Sequence, residues 1–309
     1  VNQSLSLPSF AKINWSLRVL GKRTDNLHEI RTRLQTISLH DRISFELSEN
    51  EDLVLTCSNG EIPIDDRNLV VRAANALRDR YAIRTGARIQ IEKSIPTEAG
   101  LGGGSSNAAV ALLALAHLWK IDTAANDLLT IAVALGADVP FFLFGGSMLG
   151  TGTGATLSTL PDSGAHHLIV IAPKCSVSTR DAYAALQAAP LTSDTSEFIL
   201  SSSQNEAVSD DSPPWLRADF ANDFESVIFD IYPEIGRAKA ALLGAGAKAA
   251  LMTGSGSSIF GVLADKTSQQ QALEKIPSEA GWRIFPCVTV SRNEYRRAIG
   301  DELFRSYAL

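Results

Sequence analysis

Two charged residues stand where the surrounding apolar pattern argues against them. Lys12 lies inside Phe10-Ala-Lys-Ile-Asn-Trp15, and Asp138 lies between the helical pattern ending at Leu135 and the apolar run 139–144. A lysine in an apolar strand either snorkels at an edge or meets a partner. An aspartate before Val139-Pro140 either caps a helix over 139–144 or is partly buried and partnered. Such a pair could phosphorylate an alcohol. The carboxylate accepts or orients the hydroxyl proton, and the ammonium offsets developing alkoxide and phosphate charge.

The second chemical signal is a set of three Gly/Ser clusters at 100–107, 145–154 and 254–258. The first reads Pro96-Thr-Glu-Ala-Gly-Leu-Gly-Gly-Gly-Ser-Ser-Asn107. It follows a strand pattern at 87–92 and opens an Ala/Leu-rich helix running to Trp119. Strand, glycine loop and helix in this order make an anion site, because first-turn N–H groups and the helix dipole point into the loop. Ser105 or Ser106 is the expected cap. A tight turn before a core helix is the plain structural alternative. The stretch contains no G-x-x-x-x-G-K-[ST], and its glycines are out of register for G-x-G-x-x-G. Amides and hydroxyls, without a loop lysine, would therefore hold a phosphate. His28 ends the polar loop 21–28, where a neutral imidazole could read a base or sugar edge or simply face solvent. His166-His167 lacks a third metal ligand at useful spacing and reads as a surface turn. The four tryptophans are scattered and read as packing residues.

The elements that must position these groups follow from periodicity. Residues 7–20 and 30–39 alternate as strands, and Ile43, Phe45 and Leu47 suggest another. Asp65 or Asp66 is expected to cap a helix over 69–81. A helix at 126–135 closes at Gly136. The pattern then predicts a strand at 168–172 and a helix at 179–186. Residues 190–214, rich in Ser, Asp and Pro, read as a mobile loop. Helices at 220–228 and 232–243, a strand–turn–strand at 251–260, a helix at 266–276, a strand at 283–290 and a helical tail from Arg292 complete the pass. The alternation suggests an α/β (α+β) chain of two domains, 1–160 and 161–309.

Composition bounds the function classes. The chain has 309 residues, 45% hydrophobic and 20% charged, with a formal net charge of -6. These values suit a globular protein with a substantial core and argue against a general nucleic-acid binder. Three widely spaced cysteines suit a reducing compartment. No apolar run is long enough for a membrane span, and no signal segment is evident, so a cytoplasmic location is the expectation.

The motifs resemble the small-molecule kinases of the GHMP superfamily, named for galactokinase, homoserine kinase, mevalonate kinase and phosphomevalonate kinase. Within it they most resemble the 4-diphosphocytidyl-2-C-methyl-D-erythritol kinase family. The resemblance rests on Ala11-Lys-Ile-Asn14, Leu101 to Asn107, Leu135-Gly-Ala-Asp-Val-Pro140, Asn222-Asp-Phe-Glu225 and Thr253-Gly-Ser-Gly-Ser-Ser-Ile-Phe260, in the family's order. It implies a GHMP-kinase fold: an N-terminal ribosomal-protein-S5-domain-2-like nucleotide-binding domain and a C-terminal ferredoxin-like domain. It implies ATP with Mg²⁺, and phosphorylation of the 2-hydroxyl of a substrate carrying a cytidine diphosphate group, in the non-mevalonate isoprenoid pathway. Lys12 and Asp138 would be catalytic. Asn68, Pro96, Gly100, Leu101, Gly102, Gly103, Gly104, Ser105, Ser106 and Asn107 would hold ATP, with Ser106 a metal-ligand candidate. Asn14, Leu27, His28, Asp138, Tyr183, Gly254 and Ser255 would hold the substrate.

One departure stands out. The family's substrate loop is commonly Asp-Gly-Tyr-His, where this chain has Asp25-Asn-Leu-His28. Leu27 offers apolar contact but no aromatic face. Two rival readings stay open: a kinase of the same fold for another alcohol, and a non-catalytic nucleotide-binding protein. Glycine register argues against a dinucleotide-dependent dehydrogenase. Monomer and homodimer are both compatible with the sequence.

Overall fold

The computed structural model describes residues 4–58, 60, 62–191, 212–279 and 281–305. Most of the segment read as a mobile loop, 192–211, lies outside them.

Two strands far longer than the periodicity suggested form the spine. β1 (Ser4–Lys22) pairs antiparallel with β2 (His28–Ser48) along almost their whole lengths. The polar His40-Asp-Arg42 divides β2 into two apparent strands in the sequence, yet the backbone runs through. It can do so because two different neighbours share its other edge. β4 (Gly86–Glu92) pairs with residues 42–48, and β5 (Ser147–Thr151) pairs with residues 32–35. β3 (Leu53–Cys57) joins β4 in parallel, and β6 (Thr156–Thr159) joins β5.

Three helices cover this sheet. α1 (Leu69–Tyr81) buries Val70, Val71, Ala73, Ala74 and Leu77. Its cap is Asn68, whose Oδ1 accepts the Val70 N–H at 2.9 Å. Neither Asp65 nor Asp66 fills that place, because Asp65 turns instead to the Arg67 guanidinium. α2 (Gly103–Leu118) is apolar nearly all round and is sandwiched between the sheet and α1 with α3 (Ala125–Leu135). Its N-cap is Gly102 in the left-handed conformation, so the expected serine cap is absent. A side chain cannot stand there, because a Cβ on Gly102 would lie 2.9 Å from the Phe142 ring.

The second sheet is antiparallel, in the order β10 (Arg283–Val288), β7 (His167–Ala172), β9 (Ile259–Leu263), β8 (Ala249–Met252). β7 is buried on both faces, which explains its unbroken apolar run. Leu168 and Val170 face Ala11, Ile13 and Trp15 of β1, while Ile169 and Ile171 face the helices. Those helices are α4 (Thr179–Leu186), α5 (Glu225–Ile231), α6 (Pro233–Gly244) and α7 (Lys266–Lys275). The helix expected at 220–228 starts later, because the Asn222 side chain turns the backbone by accepting the Phe224 N–H. His166-His167 is not a surface turn. His167 opens β7, and His166 packs edge-on against Trp15 and Trp215.

The chain then returns. α8 (Arg292–Ile299) begins with a capping box between Ser291 and Glu294. With α9 (Asp301–Arg305), it places Tyr295, Ile299, Leu303 and Phe304 in the core beneath the first sheet.

Candidate active site

Strand β1 carries Lys12 and Asn14 on one face, two residues apart. Both side chains are buried. Lys12 Nζ donates to Asn14 Oδ1 at 2.8 Å and stands 3.8 Å from Asp138 Oδ2. The carboxylate is 44% exposed, so the pair has one dry member and one open to a ligand. Burial lowers the Lys12 pKa, and the Asp138 charge works against that lowering. Asp138 caps no helix. The apolar run behind it forms a 3-10 turn, Pro140–Leu143, whose cap position is Val139.

Asn14 is the joint between the two sheets. Its amide nitrogen donates to Thr32 Oγ1 at 2.7 Å, which leaves Oδ1 to receive the Gly254 N–H at 2.8 Å as well as Lys12. Thr253 Oγ1 lies 3.0 Å from Asn14 Oδ1 and 3.2 Å from the Gly100 carbonyl. The Lys12 N–H donates to the Leu101 carbonyl at 3.0 Å, and the Ser258 N–H donates to the Ala99 carbonyl at 3.2 Å. Thus the Gly/Ser loop at 254–258 clasps the glycine loop from one side while β1 holds it from the other. Asn222 stiffens the clasp, its Nδ2 donating to the carbonyls of Met252 and Gly254, each at 2.8 Å. Ser255 bonds Thr179 at the start of α4, the helix that carries Tyr183.

The other side of the glycine loop opens into a cavity of about 410 Å³. Asn68, Pro96, Gly100, Leu101, Gly102, Gly103, Gly104, Ser105 and Asn107 all line it. The N–H groups of Gly103, Gly104 and Ser105 precede the first intrahelical donor of α2, the Ser106 N–H that bonds the Gly102 carbonyl at 2.9 Å, and are free to receive an anion. Gly104 has open space where a side chain would be. These donors fit a polyphosphate. Ser106 is fully buried instead, its oxygen accepting the Ser9 hydroxyl at 2.8 Å. Among the described residues no group of three His, Cys, Asp or Glu could cage a metal ion.

Two residues unread in the sequence support this cavity, one lining it and one behind it. Lys93 lines it, and Asp41 pairs with Lys93 at 2.7 Å. Lys93 follows the end of β4, where a charged residue is ordinary, and Asp41 lies inside β2 at the polar His40-Asp-Arg42, so no pattern marked them.

A third group gathers beyond Asp138. His28 is stacked on Tyr183, and Tyr183 meets Phe224 edge-on. Burial, with a contribution from the Asp138 charge, pushes the Tyr183 hydroxyl up to about 12. Burial and nearby Lys22 lower the His28 pKa, favouring the neutral ring. Leu27 is exposed at the tip of the same loop, which turns through Asn26 in the left-handed conformation.

Comparison with known proteins fits this geometry. Residues 68–146 match the family described as GHMP kinases N terminal domain, and residues 206–281 match GHMP kinases C terminal. The 4-diphosphocytidyl-2-C-methyl-D-erythritol kinase of Syntrophotalea carbinolica is 39% identical over 89% of this chain and 95% of its own. That of Solibacter usitatus is 43% identical over 94% and 90%. The chain belongs to the 4-diphosphocytidyl-2-C-methyl-D-erythritol kinase family of GHMP kinases. A crystal structure of 4-(cytidine 5'-diphospho)-2C-methyl-D-erythritol kinase superposes with a TM-score of 0.73 at 31% identity, covering 92% of this chain and 99% of the other. Homoserine kinase from Cytophaga hutchinsonii, at 20% identity, shares the fold with a TM-score of 0.71, covering 93% and 95%. The protein is thus a small-molecule kinase with the GHMP fold, a fold that generally works with ATP and Mg²⁺. No helix among the described residues is long and apolar enough to cross a membrane.

Proposed function

We propose that the protein transfers the γ-phosphoryl group of ATP to the 2-hydroxyl of 4-diphosphocytidyl-2-C-methyl-D-erythritol, in the non-mevalonate isoprenoid pathway. The observation that carries this reading is the Lys12–Asp138 approach of 3.8 Å beside the glycine loop. In this reading the substrate oxygen bonds to the γ-phosphorus, the bond to the β-phosphate oxygen breaks, and ADP leaves. Asp138 orients the hydroxyl and receives its proton. Lys12, fixed by Asn14, steadies the charge on the attacking oxygen and the transferred group.

The loop amides of Gly103, Gly104 and Ser105 hold the ATP phosphates, with Pro96, Gly100, Leu101, Gly102 and Asn107 shaping the cradle and Asn68 at its far end. Mg²⁺ bound with ATP would neutralise phosphate charge beside the loop amides. His28 and Tyr183 bind the cytosine, Leu27 covers its second face, and Gly254 and Ser255 back the cleft near Lys12.

A coupled ATP-consumption assay with this alcohol, beside Asp138→Asn, tests the proposal. Turnover that requires the alcohol and falls at least about a hundredfold in the variant supports it. Equal turnover with alcohols lacking the cytidine group would overturn the substrate assignment. Undiminished activity in Asp138→Asn would overturn the role of the carboxylate.

A further inference from the structure

Asp41 is fully buried and takes no part in the Lys12–Asp138 pair. It sits on β2 opposite Ser9 of β1. Its Oδ1 accepts the N–H groups of Ser94 and Ile95, each at 2.8 Å. Its Oδ2 accepts Lys93 Nζ at 2.7 Å and Asn107 Nδ2 at 2.9 Å. Asn107 Nδ2 also donates to Ser9 Oγ at 2.9 Å, and Ser9 Oγ donates to Ser106 Oγ at 2.8 Å. All four donors to Asp41 therefore come from the two flanks of the glycine loop. Residues 93–95 lead into it, and Asn107 follows it on α2.

We propose that Asp41 is the positioning residue of the phosphate cradle. It fixes the two flanks of the loop against each other, so that the N–H groups of Gly103, Gly104 and Ser105 keep a common aim. The inference rests on the nucleotide reading above.

Two physical points favour positioning over plain stability. A buried ion pair adds little stability relative to an apolar pair of the same shape, so stability alone gives no reason for this one. Its directional bonds, by contrast, specify where the 93–95 backbone and the first turn of α2 lie. The arrangement also reaches the ligand space. Lys93 Nζ stands 3.0 Å from where a Cβ on Gly103 would lie, and Ile95 packs at the same place. A shift of residues 93–95 would thus displace Gly103 directly. The Lys93 side chain is 3% exposed and burial lowers its pKa, with Asp41 opposing that effect, so the ammonium depends on the carboxylate for its setting.

The test is calorimetric binding of ADP with Mg²⁺, with CDP binding and thermal melting measured on the same samples. Asp41→Asn should weaken ADP binding at least tenfold while CDP affinity stays within twofold of the parent. ADP affinity unchanged in Asp41→Asn, whatever its melting temperature, would leave Asp41 a stability residue and overturn the proposal. Lys93→Gln and Lys93→Met provide an independent comparison should Asp41→Asn not fold. Glutamine keeps an N–H toward Asp41 and methionine does not, so Lys93→Gln should bind ADP at least fivefold more tightly than Lys93→Met. Equal losses in the two would assign the effect to the lysine charge itself and overturn positioning by Asp41. A parent protein that binds no ADP would overturn the nucleotide reading and this inference together, whereas ADP binding that survives Asp41→Asn overturns only the latter.

Discussion

The imidazole of His28 lies against the ring of Tyr183, with ring centroids 4.4 Å apart and planes inclined by 18°. A pyrimidine cannot enter between rings already in contact. In the proposed reading the cytosine would stack on the outer face of His28, or His28 would swing aside and leave Tyr183 as one wall. The proposal gives the second wall to the residue at the loop tip, Leu27, which is 53% exposed. Leucine covers area but presents no aromatic face. Leu27→Tyr should lower the KM for the cytidine substrate by about tenfold, within the ~1–3 kcal/mol that base–aromatic stacking supplies. Steady-state kinetics at saturating ATP measure this, and an unchanged KM would sink the missing-stack account.

The electrostatics of Lys12 set a pH dependence. Burial lowers its pKa below the 10.5 of an ordinary lysine, and in the proposed mechanism the protonated form is the one that steadies phosphoryl transfer. Activity should therefore be full while Lys12 is charged and decline as pH rises through the lowered value. The alkaline limb of kcat/KM should begin below the ordinary lysine range. Lys12→Met should abolish that limb and cut kcat at least about a hundredfold. A parent limb at or above 10.5 contradicts the burial argument.

Asn222 offers a test of the clasp. Its Nδ2 faces two carbonyls and its Oδ1 receives the Phe224 N–H, all inside the protein. Asn222→Ala should cost about 1–3 kcal/mol by stranding buried polar groups. Asn222→Asp should cost more, because it turns an acceptor toward two acceptors. Urea denaturation gives the ordering, and Asn222→Asp as stable as the parent would contradict it. Both should also lower kcat, since residues 253–254 hold Asn14 and through it Lys12.

Gly145 meets Tyr295 where no side chain fits. Its φ is +66°, and a Cβ there would lie 2.2 Å from the tyrosine ring. Tyr295 also donates to the Phe142 carbonyl at 2.5 Å, and the Phe142 ring backs Gly102. Gly145→Ala should destabilise by at least about 1–3 kcal/mol, the usual cost of overpacking. Tyr295→Phe, which keeps the ring and removes one buried donor, should cost about 1–3 kcal/mol. Thermal melts of both variants check this, and a Gly145→Ala melt equal to the parent would show that α8 can retreat.

Much of the site was readable because its residues break a pattern. Lys12 interrupts an apolar strand, Asp138 precedes an apolar run, and the three Gly/Ser clusters are visible by count. The structure adds that two clusters meet at Gly100 and Thr253. Asp41 and Lys93 escaped because His40-Asp-Arg42 looks like a solvated turn and Lys93 like a strand end, and only the long-range pairing shows the carboxylate enclosed. The α1 cap is Asn68 and not the expected Asp65 or Asp66; all three side chain types can cap, and Arg67 draws Asp65 away. Helix α8 shows apolar residues along one face, but nothing in its sequence says which of two cores receives it.

That return of α8 and α9 to the first core has a consequence for the order of events during synthesis. Tyr295, Ile299, Leu303 and Phe304 fill space beneath strands and helices made from the first half of the chain. A nascent chain that has emerged only as far as β6 lacks those side chains, so its first core stays incomplete while the second sheet is still being made. Domains usually finish in the order in which they leave the ribosome. Here the half made first is the one that must wait, and the last two helices are what let it close.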